Sequence, residues 1–422
     1  MLYETQNPHG GDVYGAEVAF DFSSNVNPLG TPPNVLAAIS HAAMRVRQYP
    51  DPYCRALTAA IAAHEAVPED FILCGAGAAE LIYVYCDALR PKKAMELAPT
   101  FLEYSAAASH FGAEMVRVPL QAPEFLPDDR LLDKLREEAP DVLFLCTPNN
   151  PTGQTIGRSL LQSVLDISLT QGTRVLLDEC FLDFTGEKSA KDLLSRYENL
   201  LILKAFTKSY ALAGLRVGYC LTGDTRLLSQ MAACSQPWNV SLPAQEAAVA
   251  ALQNPDWISG ARALVSEQRE YLTRALQSLK LTVCPSRANY LLFRAPVGLD
   301  DMLRREKIAI RNCKNYAGLT PGWYRIAVRQ KEENEALINA IRRAMEEPSW
   351  HLISCCREPC LTQERACFPR GSAGFSGRTA ITSRPSRART WRSIPSSQKT
   401  AAKWAGRRSC RRRPAASSPT CA

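Results

Sequence analysis

The residues most able to do chemistry lie in the run LKAFTKSYALAGLRVGY (203–219), where Thr207 and Lys208 precede Arg216 by a short, glycine-containing loop. A lysine amine can close a Schiff base on an aldehyde, and a fixed guanidinium can neutralise a phosphate on the same molecule. Pyridoxal 5'-phosphate is the cofactor that asks for both. A loop lysine is ordinarily solvated, so the reading depends on three further segments.

The stretch DVLFLCTPNNPTG (141–153) is an unbroken apolar run ending in a Pro/Asn/Gly cluster, the pattern of a buried parallel strand that delivers a loop at its C-terminal end. Asn150 can donate its amide to a phenolate oxygen there, or it can simply be a turn asparagine. TRVLLDECFLDF (173–184) is a second such strand ending in acids. Asp178 can face a pyridine nitrogen and keep it protonated; adjacent acids can also bind a metal or face water. In FILCGAGAAELIYVYCDAL (71–89) a Gly-Ala-Gly turn opens a helix with Leu81, Tyr85 and Leu89 on one face. The exposed amides of Gly77, Ala78 and Ala79 then offer an anion site aided by the helix dipole, although a tight turn uses the same glycines for shape alone.

These strands must alternate with amphipathic helices, which predicts an α/β fold with a mostly parallel sheet. We expect a large cofactor domain over 45–240, preceded by an N-terminal arm and the start of a small domain (1–44). A smaller α+β domain should follow over 241–347, with a charged helix at 258–279, a strand ANYLLFRA (288–295) and a closing helix over 331–347. That last helix is apolar at Leu337, Ile338, Ile341 and Met345.

The 422 residues carry a net charge of +8, with 50 Lys and Arg against 42 acids. The charge is uneven: residues 348–422 hold 15 of the basic residues and two of the acids, so the preceding core is at −5. The basic balance therefore belongs to a tail rich in Arg, Ser, Pro and Ala, expected to be disordered. RRSCRRRP (407–414) suits non-specific binding of nucleic acid, and His351 with Cys355, Cys356, Cys360 and Cys367 suits a metal, but no paired C-x-x-C spacing supports the latter. The preferred reading is an inert or non-native extension, with no nucleic-acid partner and no metal. No run approaches the ~20 apolar residues of a membrane span, and no apolar start resembles a signal peptide. The core cysteines are scattered singly, as in a reduced, cytoplasmic protein.

In the order turn, Asn, Asp, Lys and Arg, the four motifs resemble the fold-type I aminotransferase superfamily over about residues 5–347. The resemblance implies a pyridoxal-phosphate transferase with a seven-stranded-type large-domain sheet. It makes Lys208 the Schiff-base residue, Asp178 the pyridinium partner and Asn150 the phenolate donor. Tyr104 in APTFLEY (98–104) would stack on the ring and serve catalysis. Thr207, Arg216 and the 77–79 amides would hold the phosphate, joined by Tyr49 of QYPDP (48–52) from the second subunit of a homodimer. Within the superfamily, HGGDVYG (9–15), DFSSNVNPLG (21–30) and IRNCKNYAGLTPGWYRIAVR (310–329) are similar to the threonine-phosphate decarboxylases of cobalamin biosynthesis, with histidinol-phosphate aminotransferases next. Both families take small phosphorylated amines. His9, Asn25, Asn150, Arg311 and Arg325 are then the substrate-binding set, which suits a substrate with both a carboxylate and a phosphate. Phe181 stands where many aminotransferases carry a tyrosine, in keeping with the decarboxylases. Ala205 departs from the pattern, since a hydroxyl is usual three residues before the lysine.

Overall fold

The computed structural model describes residues 9–15 and 17–346. After the short strand β1 (Phe20–Asp21) come the seven strands of the large sheet. They are β2 (Ile72–Gly75), β3 (Lys93–Ala98), β4 (Glu114–Pro119), β5 (Val142–Cys146), β6 (Arg174–Asp178), β7 (Leu200–Ala205) and β8 (Gly218–Leu221). Their order across the sheet is β2-β8-β7-β6-β5-β3-β4. The pairs β3–β4, β3–β5, β5–β6 and β6–β7 are parallel, and β8 runs against both its neighbours.

The central strands read as unbroken apolar runs because both faces of the sheet are covered. Every residue of β5 is buried. Successive side chains alternate between faces. Leu143, Leu145, Val175, Leu177, Leu200 and Ile202 join one core cluster, while Phe144, Cys146, Leu176, Leu201, Leu203 and Ala205 join another. That alternation sets Asp178 on the face of Leu176 and Lys204 on the opposite one. The register brings Cys146 opposite Asp178 and Asp178 opposite Leu203, so β5, β6 and β7 finish nearly level. Helices between them pack by 3.6-residue periodicity: Arg158–Gln171 buries Leu161, Val164, Leu165 and Ser168 and stops at Gly172 in the left-handed region (φ 77°).

The remaining strands are β9 (Thr282–Val283), β10 (Tyr290–Arg294), β11 (Ile308–Ala309), β12 (Arg311–Asn312) and β13 (Trp323–Ala327). Four of them form an antiparallel sheet in the order β12-β13-β10-β9, while β1 pairs in parallel with β11. The Ala327 amide donates to the Phe22 carbonyl at 2.8 Å, which lays the 21–25 segment beside β13. The helix Lys331–Glu346 covers this sheet with Leu337, Ile338 and Ile341, as its periodicity predicts, but Met345 is only partly buried and Ala344 is the fully packed neighbour. The charged helix spans Pro255–Ser278.

The two sheets fall on either side of residue 240 within one compact unit. We propose them as its large and small lobes. The basic tail from 348 lies outside the described residues. Among the described residues no helix is long and apolar enough to cross a membrane, and no group of His, Cys, Asp or Glu side chains could hold a metal. All nine described cysteines are free thiols, and Cys234 is the exposed one.

Candidate active site

At the C-terminal ends of β5, β6 and β7 lies a cavity of about 330 Å³, where open α/β sheets characteristically bind ligands. Immediately after β7 the chain turns into the short helix Phe206–Ser209, which presents Thr207 and Lys208 to the cavity. The backbone there is tightly held. The Asn27 amide donates to the Lys208 carbonyl at 2.9 Å, Asn27 Nδ2 donates to the Ser209 carbonyl at 2.7 Å, and Ser209 Oγ donates to Asp183 Oδ2 at 2.5 Å. Burial, with Arg325 and Arg216 adding to it, pulls the Lys208 amine down to about 8. Its Nζ lies 5.7 Å from the centre of the Phe181 ring, which also lines the cavity.

One end of the cavity is built for an anion. The helix Ala78–Leu89 starts at its wall, with Ala78 and Ala79 lining it. Gly77 caps that helix at φ 86°, and a Cβ there would fall 2.8 Å from Arg216 Nη2, so the glycine makes room for the guanidinium. Thr207 and Arg216 complete this end, while Ala205 contributes only a methyl group.

At the deep end is Asp178. Its Oδ2 accepts from the Tyr104 hydroxyl at 2.7 Å and its Oδ1 from the Cys180 amide at 2.9 Å. Burial raises its carboxyl, and those two bonds oppose the rise. Tyr104 does not face the cavity, which corrects the stacking role expected of it. It is fully buried behind Asp178, stacked on Phe144 with ring centres 5.3 Å apart. Phe101, in extended backbone just before the helix Leu102–His110, is the aromatic of that segment that lines the cavity. Two aromatics three residues apart look alike in sequence; only the start of the helix tells which one faces in.

Asn149 and Asn150 also divide their work. Asn149 is structural: its Oδ1 accepts from Thr100 Oγ1 at 2.7 Å and its Nδ2 donates to the Pro99 carbonyl at 3.0 Å. Asn150 lines the cavity and accepts from Arg325 Nη1 with its Oδ1, which leaves its amide donors for a ligand.

The opposite wall comes from the antiparallel sheet. Arg311 and Arg325 are directly opposite each other on β12 and β13, and both are buried. Like charges so placed repel, and an anion between them relieves that cost. Arg325 Nη2 donates to the Ser23 carbonyl at 2.8 Å, while its Nε and the neighbouring Asn25 Oδ1 are buried without a protein hydrogen bond. Arg311 Nη2 donates to Asn315 Oδ1 at 2.7 Å, and its guanidinium lies 5.3 Å from the centre of the Tyr316 ring. His9 lines the mouth, with Nε2 2.5 Å from Glu103 Oε1. Glu103, Phe101 and Tyr316 also line the cavity, though the motifs of the sequence do not mark them. Tyr49 is not in this cavity: it is exposed and packs on Trp238, ring centres 4.8 Å apart.

Residues 17–341 match the model of the aminotransferase class I and II family. The chain belongs to that family. It is 36% identical over 351 residues to the threonine-phosphate decarboxylase of Salmonella typhimurium, covering 80% of this chain and 96% of that protein. It is 33% identical to the chloroplastic histidinol-phosphate aminotransferase of Nicotiana tabacum, covering 76% of this chain and 77% of that protein. Among solved structures, the histidinol-phosphate aminotransferase from Clostridium acetobutylicum superposes with a TM-score of 0.72 at 28% identity, covering 77% of this chain and 98% of that one. The family depends on pyridoxal 5'-phosphate, and the cavity fits that cofactor. It offers a helix end with an arginine for the phosphate, a buried carboxylate for the ring nitrogen and a deprotonable amine for the aldehyde.

Proposed function

We propose that this aminotransferase-family enzyme decarboxylates L-threonine O-3-phosphate to (R)-1-amino-2-propanol O-2-phosphate, a reaction that supplies the cobalamin side chain. The observation carrying the reading is the opposed pair Arg311 and Arg325, which adds two buried cations to the cofactor's own phosphate site. A substrate with a carboxylate and a phosphate uses both; histidinol phosphate has no carboxylate. Charge-assisted bonds of this kind are worth roughly 1.5–3 kcal/mol each. Identity to the Salmonella typhimurium decarboxylase and the phenylalanine at 181 support the same choice.

Pyridoxal phosphate, when bound, supplies an electron sink for the pair left behind as a bond to the substrate's α-carbon breaks. Ala78, Ala79, Thr207 and Arg216 would hold its phosphate, Asp178 its ring nitrogen and Asn150 its phenolate oxygen; Phe101, in place of Tyr104, would cover the ring. Arg325 grips the substrate carboxylate, braced by Asn150 and the Ser23 carbonyl. Arg311, His9 and Asn25 take the substrate phosphate. Two fixed anions orient the α-carbon so that the carboxylate leaves, a positioning effect rather than a new reactive group. Lys208, protonated as its ammonium, then delivers a proton to the α-carbon and is left as the neutral amine.

The test is carbon dioxide release from L-threonine O-3-phosphate by the cofactor-loaded enzyme with no keto acid present. Release supports the decarboxylase. The second reading, an aminotransferase for a phosphorylated amine, is favoured by the histidinol-phosphate aminotransferase relatives. It predicts no release, but amino transfer from histidinol phosphate to 2-oxoglutarate.

We further propose a homodimer with a cytoplasmic location. Met44, Val46, Tyr49 and Tyr53 are large exposed side chains on one segment, with Tyr49 packed on Trp238, and a second copy would cover them. Light scattering should give twice the chain mass, and Tyr49→Ala should weaken cofactor retention; a monomer with unaltered retention contradicts this.

A further inference from the structure

The cavity holds one charge that the proposed reaction does not use. Among the described residues lining it, the carboxylates are Asp178 and Glu103. A bare carboxylate in a cavity shaped for anions would repel the substrate. Glu103 is not bare: it sits in the first turn of the helix Leu102–His110, and His9 reaches it at 2.5 Å. That bond is the leading reason its carboxyl lies below the usual range. The His9 ring also rests against Phe101, with centres 5.8 Å apart.

The residues after His9 are fastened on the other side. The Gly11 amide donates to Ser23 Oγ at 2.8 Å. A Cβ on Gly10 would fall 2.4 Å from the Ser23 carbonyl oxygen, and one on Gly11 2.9 Å from Ser24 Oγ, so both glycines are needed for the strap to lie flat. The same Ser23 carbonyl accepts from Arg325. The strap His9–Gly11 thus joins the helix bearing Glu103 to the segment that braces the substrate-binding arginine.

We propose that Glu103 is a positioning residue: through its bond to His9 it latches the His9–Gly11 strap across the cavity mouth and fixes the imidazole for the phosphate end of the substrate. This rests on the substrate reading above only for the identity of the anion that His9 meets. The latch itself is judged without turnover.

Two measurements on the cofactor-loaded enzyme test it, with inorganic phosphate as the binding probe. Loss of one charge-assisted bond corresponds to about ten-fold or more. Glu103→Ala should therefore speed deuterium exchange of the 9–15 backbone, and weaken phosphate binding, by about that factor. His9→Ala should weaken phosphate similarly, and the double variant should be no weaker than either single one. Unchanged exchange in 9–15 overturns the latch. Additive losses in the double variant overturn it too, because Glu103 would then act on the ligand independently of His9. Glu103→Gln, which keeps the side chain's shape, carries the test if the alanine variant does not take up cofactor. If the enzyme releases no carbon dioxide from threonine phosphate yet exchange and phosphate binding respond as stated, the substrate reading fails and the latch stands.

Discussion

To serve as the proposed Schiff-base residue, Lys208 would have to react as a neutral amine, and a lysine in water is almost wholly protonated at neutral pH. Burial beside two arginines brings its pKa to about 8, so the neutral fraction grows with pH through that value rather than through the ordinary lysine value of about 10.4. Cofactor uptake by the apo-protein, followed by visible absorbance, is accordingly expected to rise through pH 8 and level off above it. An inflection in the ordinary lysine range contradicts the buried setting. Lys208→Ala should leave no covalent adduct after borohydride reduction. At Arg325 the geometry is a fork gripping Asn150 and the Ser23 carbonyl, which a point charge cannot reproduce. Arg325→Lys should raise KM for the carboxylated substrate about ten-fold or more, and an unchanged KM removes Arg325 from carboxylate recognition.

Elements explain why some of these residues were legible and others not. Asp178 and Asn150 stand out because each closes or follows an apolar run with the pattern of a buried strand, and Lys208 because of its spacing to Arg216; strands finishing nearly level then bring their ends together. Tyr104 misleads because its role depends on where a helix begins, within one residue or two. The opposition of Arg311 and Arg325 is a matter of register between strands separated by a loop, which no local pattern reports. Glu103 escapes for the same reason, since its partner lies 94 residues away. On the far face of the sheet, Glu65 at the end of the helix Arg55–Glu65 accepts from Lys204 at 2.7 Å, Lys191 at 2.8 Å and the Tyr219 hydroxyl at 2.6 Å. Although burial opposes it, those three partners hold its carboxyl at about 2. The folded value is depressed, so this stabilisation is full above the unfolded pKa and fades as pH falls towards 2. Glu65→Ala should cost about 3–5 kcal/mol by leaving Lys204 buried and unpaired, measured by denaturant unfolding at pH 7; a cost below 1 kcal/mol argues against the network. At the start of the helix Ala78–Leu89, Gly77→Ala should displace Arg216 and weaken cofactor retention, because the nearest atoms to the new methyl are those of the guanidinium, and it should also strain a backbone held at φ 86°.

For the whole molecule, the charge imbalance of the sequence separates enzyme from tail. The site is assembled from residues 9–325, and the basic excess lies beyond 347. Removing residues 348–422 should leave the cofactor spectrum and turnover intact, and their loss would mean that the tail takes part. The layering of the large sheet was readable from apolar runs and their spacing. The order of β2 and β8 at its edge was not, because pairing across 140 or more residues leaves no local trace. The proposed function makes the bond broken at the α-carbon a matter of positioning: on that proposal the opposed Arg311 and Arg325, with His9, would hold the substrate by both anions and direct the carboxylate to leave. L-threonine O-3-phosphate carrying deuterium on that carbon tests this directly by mass spectrometry of the product. The account predicts an amine phosphate lighter by carbon dioxide that retains its deuterium. A keto product with the deuterium washed out, and the carboxylate still in place, would contradict it.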